Sequence, residues 1–169
     1  PYSMNHYPVT DDIEEFKRIS SLPAMKRAYE FYQLGVNTSA RREWHHALNK
    51  MTTYQMQMAA ALAVKWGWHN RAIITMSRAR ALDNIVLRFP ILFEGLLTKY
   101  AKKNNIDRSW VFGVVRAESA FIEDISSPVG ALGLMQVMPR TGRSVAKKIG
   151  IKNFKKSKLR KAETNVPIG

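Results

Sequence analysis

One carboxylate stands where an apolar helix face ends, in the stretch Val114-Val115-Arg116-Ala117-Glu118-Ser119-Ala120-Phe121. The segment Gly130-Ala131-Leu132-Gly133-Leu134-Met135-Gln136-Val137-Met138-Pro139 follows closely. A carboxyl group kept from water resists ionisation, so it can still donate a proton near neutral pH. Glu118 lies seven, four and three residues on from Val111, Val114 and Val115, which puts it on their helix face by spacing. A charge on such a face has to be paired or kept protonated. The competing reading is that Glu118, in the last helical turn, escapes into solvent or pairs with a nearby Arg, since structural ion pairs perturb carboxylates too.

The second segment has the properties of a ligand-facing loop. Gly130 and Gly133 allow backbone conformations closed to other residues and close approach to a ligand. Ala131 and Leu132 lie between them. Met135 fills irregular apolar surface, and Gln136 offers both a donor and an acceptor. Those properties suit a sugar ring carrying hydroxyl and acetamido groups. The alternative is a core-packing loop with Leu132, Leu134 and Val137 inward. Both hold if the leucines anchor the loop while Gln136 faces a cleft.

The elements that must position these residues read as helices. Asp11-Asp12 opens a short helix through Ile19. Pro23 starts a second that reaches Leu34, with Gly35 as its stop. Thr38 or Ser39 caps a third, carrying Trp44, Ala47 and Leu48. A fourth, rich in Ala and Met, spans residues 53–66 and ends at Gly67; a fifth covers 70–82. These form helix-turn-helix pairs with the spacing of short helical repeats, too few for a free-standing solenoid. A boundary falls at Leu87-Arg88-Phe89-Pro90, with Pro90 opening a helix to Lys103. Asp107 or Ser109 caps the helix that ends near Ser119. Between Phe121 and Met138 no helical period persists, and no strand longer than a short hairpin is expected. Pro139 and Gly150 bound a final helix. The fold class is all-α: a helical-repeat-like module over residues 1–88, then a second domain over 89–169.

Composition sets the bounds. The 169 residues are 46% hydrophobic and carry 27 Lys+Arg against 13 Asp+Glu, a formal net charge of +14, which favours an anionic partner. There is no cysteine, which excludes disulfides and thiolate metal sites. No apolar run is long enough to span a bilayer. Residues 1–8 show no basic start followed by an apolar stretch, so no secretion signal is visible; without an initiator Met, the sequence is expected to come from a processed or cut protein.

The string "VVRAESAF", the later "SSPVGALGLMQVMPRTG" and "ETNVPIG" resemble the soluble lytic murein transglycosylase family, as do the preceding Ala-rich helical pairs. The resemblance covers the chain from about residue 22 onward. It implies a helical linker module followed by the N-terminal part of a lysozyme-like domain that cleaves peptidoglycan between N-acetylmuramic acid and N-acetylglucosamine. Glu118 would act as general acid, then as base, to close a 1,6-anhydro ring. No second catalytic carboxylate, metal or organic cofactor is then needed, and Glu123 and Asp124 read as solvated or capping acids. Ser119 would support the glutamate. Met135 and Gln136 would line the saccharide groove, with Gly130, Ala131 and Gly133 shaping the loop. The family's domain continues past the equivalent of Asn165-Val166-Pro167-Ile168-Gly169, so the sequence reads as an incomplete domain. The resemblance also implies a periplasmic setting and peptidoglycan, not nucleic acid, as partner.

Other features carry less. Lys152, Lys155, Lys156, Lys158, Arg160 and Lys161 form a basic cluster that reads first as a solvated face. Adjacent His45 and His46 point in different directions on a helix and have no carboxylate spacing for a metal. Trp66 and Trp68, flanking Gly67, pack a helix turn. The second functional reading is a noncatalytic basic helical module that binds peptidoglycan or nucleic acid.

Overall fold

The computed structural model describes residues 12–169. Asp11 and residues 1–8, used above for a helix start and for the missing signal, lie outside them. The described chain is all-α and divides into two compact units between Pro90 and Ile91.

The first unit is built from paired helices: α1 (Ile13–Ser21), α2 (Pro23–Gln33), α3 (Asn37–Leu48), α4 (Thr53–Lys65), α5 (His69–Arg78) and the single turn α6 (Ile85–Arg88). Their ends follow local chemistry. Asp12 accepts from the Glu15 amide at 2.9 Å to start α1. Thr52 and Gln55 form a reciprocal capping box at α4. Pro23 occupies the first turn of α2. Helix α2 packs on α3, and α4 packs on α5 and α1. Ala28, Ala40, Ala59, Ala60, Ala63 and Ala72 are buried at these contacts, where short side chains let helices approach.

Aromatic rings fill the remaining space. Trp44 meets Trp66 and Trp68 edge-on, with centroids 5.5 and 5.6 Å apart, and Tyr32 stacks on Trp68 at 4.7 Å. The tryptophans beside Gly67 therefore pack the turn, as expected. Trp44 Nε1 donates to Thr75 Oγ1 at 3.0 Å, and Thr75 Oγ1 donates to Arg71 O at 2.7 Å. This satisfies a buried indole.

Three boundaries differ from the sequence expectation. Helix α3 starts at Asn37, not behind a Thr38 or Ser39 cap. The α2 end is closed by Val36 N donating to Phe31 O at 2.8 Å, and α3 follows at once with no side-chain cap. Helix α5 stops at Arg78, not Leu82, because Arg80 takes a left-handed φ of 52°. Pro90 does not open the next helix. Phe93 is left-handed at φ 55°, which breaks helical continuity, so α7 (Glu94–Lys103) starts after it.

In the second unit α7 packs on α8 (Arg108–Ser119), which is capped by Asp107 accepting from Ser109 N at 2.7 Å. A long loop follows. It contains two isolated antiparallel bridges, Ser126 with Leu132 and Leu132 with Val137. Then come α9 (Pro139–Lys148), a 3-10 turn over Lys156–Arg160, and the single turn α10 (Ala162–Asn165). Leu132, Val137, Ala146, Leu159 and Ile168 form a core that draws the loop against these elements.

Two measurements test the packing of the first unit. Thr75→Val strands the buried Trp44 indole N–H and should cost about 1–3 kcal/mol in urea unfolding, whereas Thr75→Ser keeps the acceptor. Burial pushes the His69 imidazole below its ordinary 6.5, and its Nδ1 is enclosed without a partner among the described residues. The unfolded chain thus binds a proton that the folded chain refuses, and stability falls as pH drops through the window below 6.5. His69→Asn should flatten that part of the melting-temperature profile in calorimetry. The acid loss from Glu15 remains; its carboxyl is held at about 2 by Arg18 and Gln55, so its contribution fades only below 4.5.

Candidate active site

Glu118 sits in the last turn of α8 and is exposed. This corrects the expectation of a sheltered carboxyl. The buried stripe of α8 runs Val111, Val115, Ser119, residues four apart, while Val114 is half-buried on its flank. Glu118 is one residue off that stripe, about 100° around the helix. Ser119, not Glu118, continues the apolar face. Among the described residues Glu118 makes no hydrogen bond or ion pair, so the expected escape into solvent, not an Arg pair, describes its state.

Ser119 is 3% exposed and holds the helix end. Its Oγ donates to Val115 O at 2.9 Å and accepts from Phe121 N at 3.1 Å. The two residues that follow are both left-handed, Ala120 at φ 47° and Phe121 at φ 63°. Such a conformation is costly for a bulky side chain, by about 1–3 kcal/mol per residue. It persists because Phe121 is buried against Phe112, with ring centroids 6.4 Å apart, while Ser119 fixes its amide. The backbone immediately after Glu118 is therefore set rigidly.

The Gly-Leu-Met-Gln loop is organised from behind. Asn165 is fully buried, and its amide reaches three ways. Nδ2 donates to Leu132 O at 2.7 Å and to Leu159 O at 2.8 Å, and Oδ1 accepts from Met135 N at 2.7 Å. Gly133 has φ 76°, and a Cβ there would lie 2.1 Å from Leu159 O and 2.3 Å from Asn165 Nδ2. Only glycine fits. Gly130, at φ 92°, turns the other end of the loop, where Ala131 is buried and its amide donates to Ser127 Oγ at 2.9 Å.

Met135 and Gln136 are half-buried. Met135 packs on the Leu132–Leu159 core, and Gln136, left-handed at φ 45°, donates from Nε2 to Gly133 O at 2.9 Å. The anchoring reading of the leucines fits, since Leu132 and Leu134 are buried. The structure thus brings Ala131, Gly133, Met135 and Gln136 into one hydrogen-bonded loop, and ties Ser119 to the turn after Glu118.

Sequence reasoning did not give the long-range partners that fasten this arrangement. Glu123 accepts from Ala162 N at 2.7 Å and caps α10, which gives the capping reading of that acid its geometry. Arg160 donates to Asp124 O at 2.5 Å and Ser126 Oγ at 2.6 Å. Asn165 was legible only as a letter within a resembling string. These bonds join positions thirty to thirty-nine residues apart, and no local spacing announces them. The rest of the basic cluster is exposed. Among the described residues no group of His, Asp and Glu is placed to hold a metal.

The all-α unit that carries this helix-end glutamate and glycine-shaped loop shares the lysozyme-like fold of the lytic transglycosylases it superposes on. Residues 18–85 match the soluble lytic murein transglycosylase L domain, and residues 95–169 match the transglycosylase SLT domain. The chain belongs to the soluble lytic murein transglycosylase family. It is 30% identical to the soluble lytic murein transglycosylase of Salmonella typhimurium over 148 residues, 87% of this chain and 23% of that protein. An inactive Glu-to-Gln variant of lytic transglycosylase Slt from Pseudomonas aeruginosa superposes with a TM-score of 0.90 at 33% identity, over 99% of this chain and 27% of that one. The 70-kDa soluble lytic transglycosylase bound to bulgecin A gives 0.83 at 26%, over 100% and 27%. The chain spans about a quarter of the length of the relatives it matches.

Asn165→Ala takes away the partner of the Met135 amide and of the Leu159 carbonyl, and one of the two donors to Leu132 O. It should cost about 3 kcal/mol or more and raise amide hydrogen exchange at Met135 by about a hundredfold. Gly133→Ala should loosen the same amides.

Proposed function

We propose that this chain supplies the acid–base glutamate and part of the saccharide groove of a periplasmic peptidoglycan lytic transglycosylase. The observation that carries the reading is Glu118 uncommitted to any partner, at the end of a rigid helix and next to a strained turn, in a chain of this family. The inactive glutamate-to-glutamine relative supports dependence on one carboxyl group.

In this scheme protonated Glu118 gives its proton to the oxygen bridging N-acetylmuramic acid and N-acetylglucosamine. The C1–O bond breaks, and N-acetylglucosamine leaves with a free 4-hydroxyl. The acetamido oxygen of the muramyl residue stabilises C1, a substrate-assisted route that needs no second carboxylate. Glu118, now a carboxylate, takes the proton of the muramyl 6-hydroxyl as O6 bonds to C1. The 1,6-anhydro ring closes, no water is consumed, and the acid is restored. Donation requires that Glu118 lose its contact with water. Bound glycan, together with further chain in a longer protein, provides that cover; a carboxyl group so enclosed favours its neutral form. Met135 and Gln136 flank the sugars, and Ser119 keeps the helix end in place.

The test uses the full-length protein that carries this sequence, incubated with murein sacculi. Mass spectrometry should find anhydromuramyl ends, each lighter than a reducing end by one water. Glu118→Gln should slow their release by about 10²–10⁴-fold with the circular dichroism spectrum unchanged. Reducing ends alone, or undiminished release by the variant, would remove Glu118 from this role. Binding that survives the substitution while the polymer stays uncut in both proteins favours the noncatalytic module instead.

A further inference from the structure

A second candidate site lies in the first unit. Helices α3 and α5 border an open groove of about 560 Å³ whose lining includes Arg41, Arg42, His45, His46 and Arg71. Three arginines and two histidines border one space, and no acidic residue lines it. Among the described residues none of the three arginines has an acidic partner. The acid nearest in sequence, Glu43, is taken by Arg27 at 2.8 Å.

Arg71 makes this more than the crowding expected of a basic protein. Its guanidinium lies over the Trp68 ring, 5.1 Å from the centroid. Its Nε is buried without a hydrogen-bond partner among the described residues. Burial, with Arg41 beside it, holds the group down to about 10. A half-buried cation with a like charge as neighbour and an unanswered donor is a costly arrangement that an anion would relieve. The walls are fixed as well. Arg78 bridges His45 Nδ1 at 3.0 Å and Asn49 Oδ1 at 2.8 Å, and the Trp44–Thr75–Arg71 hydrogen bonds tie α3 to α5. Planar guanidinium forks match the paired oxygens of carboxylate and phosphate.

We propose that this groove is an oxyanion-binding site for a ligand that presents two or more carboxylate or phosphate groups. Arg71 is its preset floor, and exposed Arg41 and Arg42 close on the ligand from α3. The site acts independently of Glu118.

Titration calorimetry at low ionic strength, with citrate and pyrophosphate as separate probes, tests it. Single-site saturable binding is expected for at least one probe, and the tighter one identifies the carboxylate or the phosphate as the favoured group. Arg71→Gln should weaken it at least tenfold. Arg41→Gln with Arg42→Gln should do the same; both side chains are exposed, so folding is preserved if Arg71→Gln proves unstable. Lys155→Gln with Lys156→Gln, in the exposed basic cluster, should leave affinity unchanged. No saturable binding by either probe, or an equal loss in the lysine pair, would overturn the proposal.

Discussion

The second unit depends on one buried amide. Asn165 has no access to water, so every polar atom of its side chain must find a partner within the protein. The three partners it finds are backbone groups of Leu132, Leu159 and Met135. Fixing them joins the long loop to the 3-10 turn and to α10 at a single point. The same closeness dictates glycine at 133, since any side chain would occupy the space of the amide. Hydrogen bonding and steric exclusion thus specify one loop conformation from two sides. The hydrophobic cluster of Leu132, Val137, Leu159 and Ile168 excludes water from the amide and makes its bonds count.

Much of the helical scaffold was legible because its signals are local. The Asp12 and Asp107 caps, Pro23 and Pro139 in first turns, and Gly35, Gly67 and Gly150 as stops act within one turn of chain. The failures share a cause. Arg80 and Phe93 take left-handed conformations that their residue types do not advertise, and each moved a helix boundary. The same holds at the site, where Ala120, Phe121 and Gln136 are left-handed without being glycine. Tertiary packing imposes these conformations, so only the folded chain reveals them. The loop's glycines could be read from sequence; the Asn165, Arg160 and Glu123 bonds that decide its shape could not.

Glu118 shows how a helical face can mislead by one position. Counting from three valines placed it inward, yet the face is continued by Ser119, whose hydroxyl can be buried because it bonds to Val115 O and Phe121 N. A hydroxyl satisfied in this way costs little to bury, whereas a lone carboxylate costs much. The helix therefore turns its serine inward and leaves the acid outside. That choice gives Ser119 its function in the fold: it holds the turn that fixes the chain on either side of the carboxylate.

The distribution of acids carries the argument further. With 13 acids against 27 Lys and Arg, cations have acids to spare for few of their number. Most described acids have structural duties. Asp12, Asp107 and Glu123 cap helices, and Glu14, Glu15, Glu43 and Glu94 pair with cations. Glu118 has no such duty among the described residues. Glu30, Asp124 and Glu163 are also without side-chain hydrogen bonds or ion pairs among the described residues, but Glu30 lies within α2 beside the charge of Arg27, and the other two lie in no helix of more than one turn. Glu118 combines an uncommitted carboxylate with a helix end and the left-handed turn of Ala120 and Phe121. Position without a structural partner is what proton transfer asks of a side chain, since an existing ion pair would have to be broken before the carboxyl could hold and release a proton.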